Sequence, residues 1–599
     1  MAPQLQINQG PQDALLFDNT RSYFTNVGYV RTSNFQMELR DVDPSGASAN
    51  LGGTVNFIIP KAADLLGPVD LCVKFADVKQ GPSTANAYWG WVESIGYAMI
   101  EKITFSVGMH DVETLTGEHL NIINELMRDD THRYGFKQIG KTGRPLVRCQ
   151  LGDGGTNVNN ANPASFRTDT DLTPEAYDRL IAYHDGTSAH IKQGKELIIP
   201  LGLFFTLHPS KYFPLAAIAG CNDVRIAIKF RTLNELLMSH TIFTRNDAVH
   251  ISTTPGTIQA DGSTSAATVT NKEWGIIKTD AAPADAGVSA IQFSGSGSAF
   301  DSKGCYLRCH YIHVTGPEST ALMSKEHVRL MKLWHGNEKS QVFKVSCAAL
   351  GVTQTLHMDL NFLHPVTELV ITIRKLSDMG SDINNSKTIG SGSLPAKNTA
   401  QTKSYFAYHG GGKDPNMESW PNCVEEQKVV AAHTSSGTAP TRAPKPSYLL
   451  TKAFTLKLNG QSRHLDGNGI DRNYLMNRLM PMLHSNTSID YEQVAASSFV
   501  RGVQDTDTTT DPQADFKMLA QMMDRKEIYV YPFALNPEGA NPSGSVNFSK
   551  VSHAKLSIDV EGFAPSATGS VDDEYQVDVY GLYYNWLAIK DGRALTSFS

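Results

Sequence analysis

The segment Glu527-Ile-Tyr-Val-Tyr-Pro-Phe-Ala-Leu-Asn-Pro-Glu-Gly-Ala-Asn-Pro-Ser-Gly-Ser-Val-Asn-Phe-Ser549 sets an apolar run against a run of turn residues. Ile528 to Leu535 is apolar and gives way to Asn536, Pro537, Gly539, Asn541, Pro542, Ser543 and Gly544. Proline fixes φ and lacks an N–H, so neither Pro537 nor Pro542 can sit inside a central strand. Gly539 and Gly544 permit positive φ. The segment reads as strand, rigid turn, strand.

The same grammar recurs on either side. Downstream lie Lys555-Leu-Ser-Ile-Asp-Val560 and Tyr575-Gln-Val-Asp-Val-Tyr-Gly-Leu-Tyr-Tyr-Asn-Trp-Leu587, and upstream Phe454-Thr-Leu-Lys-Leu-Asn-Gly460 reads as strand and turn. In the first half, Val224, Ile226, Ile228 and Phe230 alternate with Arg225, Ala227 and Lys229, as a strand with one buried face requires. Phe35, Met37 and Leu39 likewise share a face. Turn clusters such as Asp43-Pro-Ser-Gly46 and Gly81-Pro-Ser83 separate these runs, and short strands so spaced indicate a sandwich or barrel. Helical spacing is confined to Gly117–Leu126, with Leu120, Ile123 and Met127 in phase, to Arg472–Met480 and to Phe516–Met523.

With 599 residues the chain has room for two or more domains. Residues 1–25 are polar and irregular and read as an arm. A first domain spans 26–240 and a second 241–599. Residues 241–300 read as a linker followed by a surface insertion, and 377–450 as a long exposed loop. The 53 basic and 60 acidic side chains give a net charge of −7 and make up only 19% of the chain, beside 48 Gly and 28 Pro. Near-balanced charge, with no basic patch interleaved with aromatics, offers no track for nucleic acid. No apolar run reaches the length of a membrane span, and residues 1–19 show no secretory pattern. The seven cysteines (Cys72, Cys149, Cys221, Cys305, Cys309, Cys347, Cys423) lack any Cys-x-x-Cys pair, which fits a reducing site of synthesis.

Tyr531-Pro-Phe-Ala-Leu-Asn-Pro-Glu538 with Asn541-Pro-Ser-Gly-Ser-Val-Asn-Phe-Ser549 resembles the best-marked segment of the major capsid proteins of nucleocytoplasmic large DNA viruses. Leu360-Asn-Phe-Leu-His-Pro-Val-Thr-Glu-Leu-Val-Ile-Thr-Ile373 resembles a second signature of that family, a polar His-Pro turn entering a buried strand. Ile59-Pro60, Asp64-Leu65-Leu66, Leu71-Cys72-Val73, Gly96–Ile103, Gly117–Leu126, Leu197–Phe205, Tyr212–Ala217 and Asn222–Phe230 resemble elements of its first barrel. The likeness weakens in the long insertions and over Trp586–Arg593. It implies an all-β fold of two consecutive eight-stranded antiparallel jelly-roll sandwiches with short helices and long loop insertions. It further implies a structural role: three chains form a pseudo-hexagonal capsomer, and capsomers tile the icosahedral shell of a large double-stranded DNA virus, assembled in the host cell. The loops at 241–300 and 377–450 would then form tower and clasp. The arm at 1–25 would reach neighbours or minor capsid proteins. Penton proteins and an internal membrane, met through other proteins, complete the implied partners.

The residues that could carry chemistry do not assemble into a site. His409-Gly-Gly-Gly412 lacks an accompanying nucleophile elbow, and Gly412-Lys413 is followed by Asp414 where a phosphate loop needs Ser or Thr. Cys305, Cys309 and His313 lie four apart, but Tyr306, Leu307, Tyr311, Ile312 and Val314 favour a strand. There such residues are roughly 13 Å apart, too far for one zinc ion, so they read as buried thiols. Asp505-Thr-Asp-Thr-Thr-Thr-Asp511 lacks the glycine and closing glutamate of a calcium loop and reads as solvated. Glu118 and Glu125, roughly 10 Å apart along a helix, read as solvated helix carboxylates rather than a glycosidase pair. Sequons stand at Asn384, Asn486 and Asn547. No catalytic, cofactor or metal residue is assigned. The competing reading is a glycan-binding or glycan-hydrolysing β-sandwich, because one architecture hosts many functions.

Overall fold

Val224, Ile226, Ile228 and Phe230 are buried while Arg225 and Lys229 are exposed, so the alternation read from the sequence is the alternation of a half-buried strand. The computed structural model describes residues 34–127, 180–245, 271–275, 292–376, 405–408, 448–484 and 528–597, apart from short interruptions. In chain order the first half contributes β1 (Phe35–Val42), β2 (Thr54–Ile59), β3 (Leu65–Phe75), β4 (Ile100–Val107), β5 (His110–Leu115), helix α1 (Gly117–Leu126), β6 (Glu196–Pro200), β7 (Val224–Phe230) and β8 (Phe300–Val314). These strands form two antiparallel sheets in the orders β1-β8-β3-β6 and β2-β7-β4-β5. The chain winds back and forth between them, which is the jelly-roll path. Leu71, Val73, Phe75 and Leu307 meet Phe57, Ile103, Phe105 and Ile228 between the sheets. Phe105 stacks edge-on against Phe213 at 5.3 Å between ring centroids.

Helix α2 (Gly316–Ser324) leads into the second half: β9 (His327–Gly336), β10 (Gln341–Cys347), β11 (Val352–Asp359), β12 (Pro365–Lys375), β13 (Tyr448–Leu458), a continuous helical stretch α3 (Arg472–Tyr474, Leu475–Leu479, Met480–Leu483), β14 (Ile528–Pro532), β15 (Ala554–Phe563), β16 (Val571–Lys590) and β17 (Arg593–Thr596). One sheet runs β9-β16-β12-β14, with β10 and β17 also on β16, and the other runs β11-β15-β13. The long β16 pairs with β9 over its second half and with β10 over its first, so β9 and β10 continue one another along one edge. The short strands Gln461–Ser462 and Ile470–Asp471 extend the second sheet beyond β13. In each half the first strand pairs with the last long strand, β8 or β16, and that strand pairs in turn with the strand of the Asp-Leu-Leu or His-Pro segment. The expected all-β double jelly roll is the fold observed.

Three local expectations change. Cys305–Val314, which falls inside the expected second domain of 241–599, is part of β8 and lies between β1 and β3, because Leu307, Cys309 and Tyr311 complete the first roll's core. The 241–300 stretch is not simply a linker: Leu237–Arg245 and Asn271–Gly275 pair with each other, and Ala87–Trp91 and Leu180–His184 join them in one additional sheet. Phe35, Met37 and Leu39 share a face, but it is the exposed face of an edge strand. The arm at 1–25, the helix at 516–523, and most of 377–450 lie outside the described residues.

The two ends of the double roll differ in connection length. At one end the strands are joined across the long stretches 76–99, 116–195, 231–299, 376–447 and 472–527 and the shorter 43–53, 348–351 and 564–570. At the other they are joined across 60–64, 108–109, 201–223, 360–364, 459–460 and 533–553.

Gly117 opens α1 in close contact with the preceding backbone. A Cβ there would fall on the carbonyl oxygen of Tyr97 and 2.7 Å from that of Ile100. Gly117→Ala is therefore expected to lower stability by about 1–3 kcal/mol or more, the usual cost of overpacking, read as a lower thermal denaturation midpoint. An unchanged midpoint would mean that α1 can be seated without this close approach.

Candidate functional site at the seam of the two rolls

The turn that follows β14 is held from three sides. β14 ends at Pro532, and Phe533 N and Ala534 N both donate to Thr367 O of β12, at 2.8 and 2.9 Å. Asn536 N donates to Ser543 Oγ at 2.9 Å, Ser543 Oγ donates back to Asn536 O at 2.8 Å, and Gly539 N donates to Asn536 Oδ1 at 2.9 Å. Gly544 has φ +129°, as its place in the turn required, whereas Gly539 does not use positive φ. The return limb is shorter than expected: only Val546–Asn547 pairs, with Val366 and Pro365 of β12. Both limbs thus end on one strand. Leu535, read as the end of the apolar run, is exposed at the tip.

Charged groups close the clamp. Lys332 Nζ of β9 donates to Pro537 O at 2.5 Å and also to Gly539 O. His484, just past α3, bonds Glu538 at 2.9 Å through Nδ1 and Glu368 of β12 at 3.0 Å through Nε2. Burial, the largest single effect, would push the His484 imidazolium down. The two carboxylates together outweigh it and raise its pKa to about 10. Burial pushes Lys332 down to about 8, against the pull of Glu368 and Glu538.

The seam between the rolls is built on α1. Thr116 caps the helix, with His119 N donating to Thr116 Oγ1 at 3.4 Å and Thr116 N donating to His119 Nδ1 at 3.0 Å. Every residue of α1 is buried. Its polar side lies on the outer face of the β9-β16-β12 sheet. Glu118 Oε1 accepts from Thr372 at 3.1 Å, and its Oε2 accepts from Tyr580 at 2.5 Å and pairs with Arg374 at 2.8 Å. Arg374 also grips Asp578 and donates to Tyr405 O at 3.0 Å. Burial pushes the Glu118 carboxyl up, opposed by Arg374. Burial likewise drives His119 down to about 4, so it packs neutral against Tyr580 and Trp334. Asn121 donates to Tyr408 Oη at 3.2 Å, and Tyr405 Oη donates to Glu235 O at 3.0 Å. At the end with short connections, His110 meets Thr596 at 3.0 Å, Asn222 donates to Gly592 O at 2.8 Å, and Arg329 donates to Tyr212 O at 2.5 Å.

Glu118 and Glu125 are therefore not solvated, because the second roll covers the face that a lone helix would show to water. Nor do they act as a pair. Both oxygens of Glu118 are engaged within the seam, which leaves none directed at a sugar. The hint in the sequence lay elsewhere, in Thr372, Arg374 and Asp578 set inside otherwise apolar strands. Cys305 and Cys309 face the core of β8, with burial driving each thiol up to about 12, and His313 bonds Glu38 at 3.0 Å. Asn547 is exposed, and its side chain accepts from Ser549 N at 3.1 Å. The segments 409–414 and 505–511 and the sequons at Asn384 and Asn486 lie outside the described residues.

Residues 22–271 match the family described as major capsid protein N-terminus, and residues 510–594 match the family described as large eukaryotic DNA virus major capsid protein. A major capsid protein of Phaeocystis pouchetii virus is 21% identical over 609 residues, covering 98% of each chain. Capsid protein 1 of Acanthamoeba polyphaga mimivirus is 23% identical over 237 residues, covering 39% of this chain and 35% of that one. Among solved structures, the chain resembles the capsid of PBCV-1 virus (TM-score 0.50, 15% identity, 96% of this chain and 100% of that chain). It also resembles the Faustovirus major capsid protein (TM-score 0.50, 11% identity, 95% and 93%). At such identity the structural likeness establishes the fold.

Two outcomes are expected of the charged groups. His484 has a folded pKa above its ordinary value of about 6.5, so its contribution is complete below about 6.5 and is lost as pH rises toward about 10. Lys332 acts with the opposite sign above about 8, so the comparison is made against His484→Gln. At pH 6.5 the variant should lose about 3 kcal/mol, the cost of stranding a buried carboxylate, and the gap between the two denaturation midpoints should narrow as pH approaches 10. A gap independent of pH would refute the charged clamp. Arg374→Met leaves Glu118 and Asp578 buried without their cation and should cost about 3–5 kcal/mol. A variant as stable as wild type would show that the seam does not depend on its guanidinium.

Proposed function

The chain belongs to the family of major capsid proteins of large eukaryotic DNA viruses, and from that premise we propose that three copies assemble into a pseudo-hexagonal capsomer, the tile of an icosahedral shell. Its place is the capsid of the virion, and its work is assembly rather than catalysis. The observation that carries this reading is the seam. Two rolls of the same winding are fixed side by side by α1 and by the Glu118–Arg374–Asp578 cluster, whose side chains are 9%, 7% and 6% exposed. A chain with two like lobes in fixed relation supplies two of six positions around a ring, and three chains complete it.

We further propose that the division of labour follows the ends of the rolls. The long connections face away from the shell as tower and clasp. The short turns, with the clamp at 533–545, present a fixed surface to minor capsid and penton proteins.

Permanent assemblies bury large apolar interfaces, so the purified chain is expected to sediment as a trimer at micromolar concentration and to show hexagonal outlines in negative stain. A monodisperse monomer under those conditions would overturn the trimer.

A further inference from the structure

The contact inside the chain has an unfilled counterpart. In the first roll, α1 follows directly on β5, the edge strand of its sheet, and lies on the outer face of the second roll's β9-β16-β12 sheet. In the second roll, α3 follows directly on Ile470–Asp471, the matching edge, but packs inward through Leu475, Met476 and Met480. Its outward side carries Tyr474 (55% exposed), Arg478 and Met482 (62% exposed). All three are exposed positions of this stretch, whose middle turn Leu475–Leu479 is π-helical.

The sheet of the first roll that corresponds to the covered one is β1-β8-β3. On its outer face β1 exposes Phe35 (53%), Met37 (56%) and Leu39 (57%). The register places Met37 beside Ile312 and Leu39 beside His310. Within the chain, the position corresponding to β1 is taken by β9, whose Trp334 is packed against His119 of α1. The second roll thus has its outer face covered by a helix and carries exposed helix residues of its own pointing away, while the first roll has an apolar outer stripe.

We propose that α3 of one copy docks on the outer face of β1-β8-β3 of the next, repeating between chains the contact that α1 makes within one. The proposal rests on the trimer reading and specifies its interface: Tyr474, Arg478 and Met482 of one chain against Phe35, Met37 and Leu39 of another. The charges support the assignment. Inside the chain the helix brings the acid, Glu118, and the sheet the guanidinium, Arg374. In the proposed contact the helix brings the guanidinium, Arg478. The sheet carries Asp41, bonded to Arg308 at 2.9 Å, and Asp70, 3.7 Å from His310. The contact is head-to-tail, using different surfaces on the two partners, so it closes only as a ring.

The test uses the full chain with Leu39→Glu or Met482→Glu, followed by sedimentation, with the thermal midpoint as the check on folding. Each variant alone should sediment as a monomer. An equimolar mixture should give a dimer containing one copy of each, because one intact helix then meets one intact sheet. Should either glutamate prevent folding, Leu39→Ser and Met482→Ser take its place, with weakened rather than lost trimer expected. Wild type and both variants all trimeric, or a mixture no more associated than its components, would overturn this interface and leave the trimer standing. A monomeric wild type would remove both.

Discussion

A buried charge must find its counter-charge where it lies, and Arg374 finds two, one from each side of the boundary between the rolls. The guanidinium projects from the outer face of a sheet whose inner face already belongs to a sandwich core. Without the neighbouring roll it would face water; with it, Glu118 and Asp578 fix its position and orientation. The pairing is of little use as raw stability, since an apolar seam of the same size could hold as well. What it supplies is register: sliding α1 by one turn would separate the three groups and leave each of them unmatched. Thr372 and Tyr580, donating to the same carboxylate, tighten that requirement.

The same logic operates on a smaller scale around β12. That strand is buried along almost its whole length, yet it carries Thr367, Glu368, Thr372 and Arg374. Together these four residues hold three neighbours. Thr367 O receives the first two amides of the turn, Glu368 receives His484, and Thr372 and Arg374 receive α1. A single strand thereby ties the turn, the helix α3 and the first roll to one another.

What was legible in the sequence was what is local. The alternation over Val224–Phe230 and the turn at Pro537–Gly544 depend on the nearest residues only, and both survive in the fold, with Gly544 at positive φ. The helix from Arg472 was likewise readable from its own spacing. What escaped was set by distant partners. The strand Phe300–Val314 pairs with strands that precede it by more than two hundred residues, so its ownership could not be seen from its own residues. The burial of Glu118 follows from a cover that belongs to the other roll. Phe35, Met37 and Leu39 announced a common face, but an edge strand's pattern does not say which of its two sides meets the core. The clamp on the turn uses Lys332 and His484, neither of which stands out in its local context.

The unequal ends of the double roll carry a consequence for how such a protein changes over time. Lengthening an already long connection adds little to its closure entropy, only about 0.6 kcal/mol for each doubling. Insertions at 128–179, 246–291, 377–404 or 485–527 can therefore accumulate with little effect on the sandwiches beneath. A two-residue link such as Gly108-Met109 has no comparable slack, and the 533–545 turn is bonded to three separate elements. One pole of the molecule can therefore vary its outline and chemistry while the other keeps a fixed footprint.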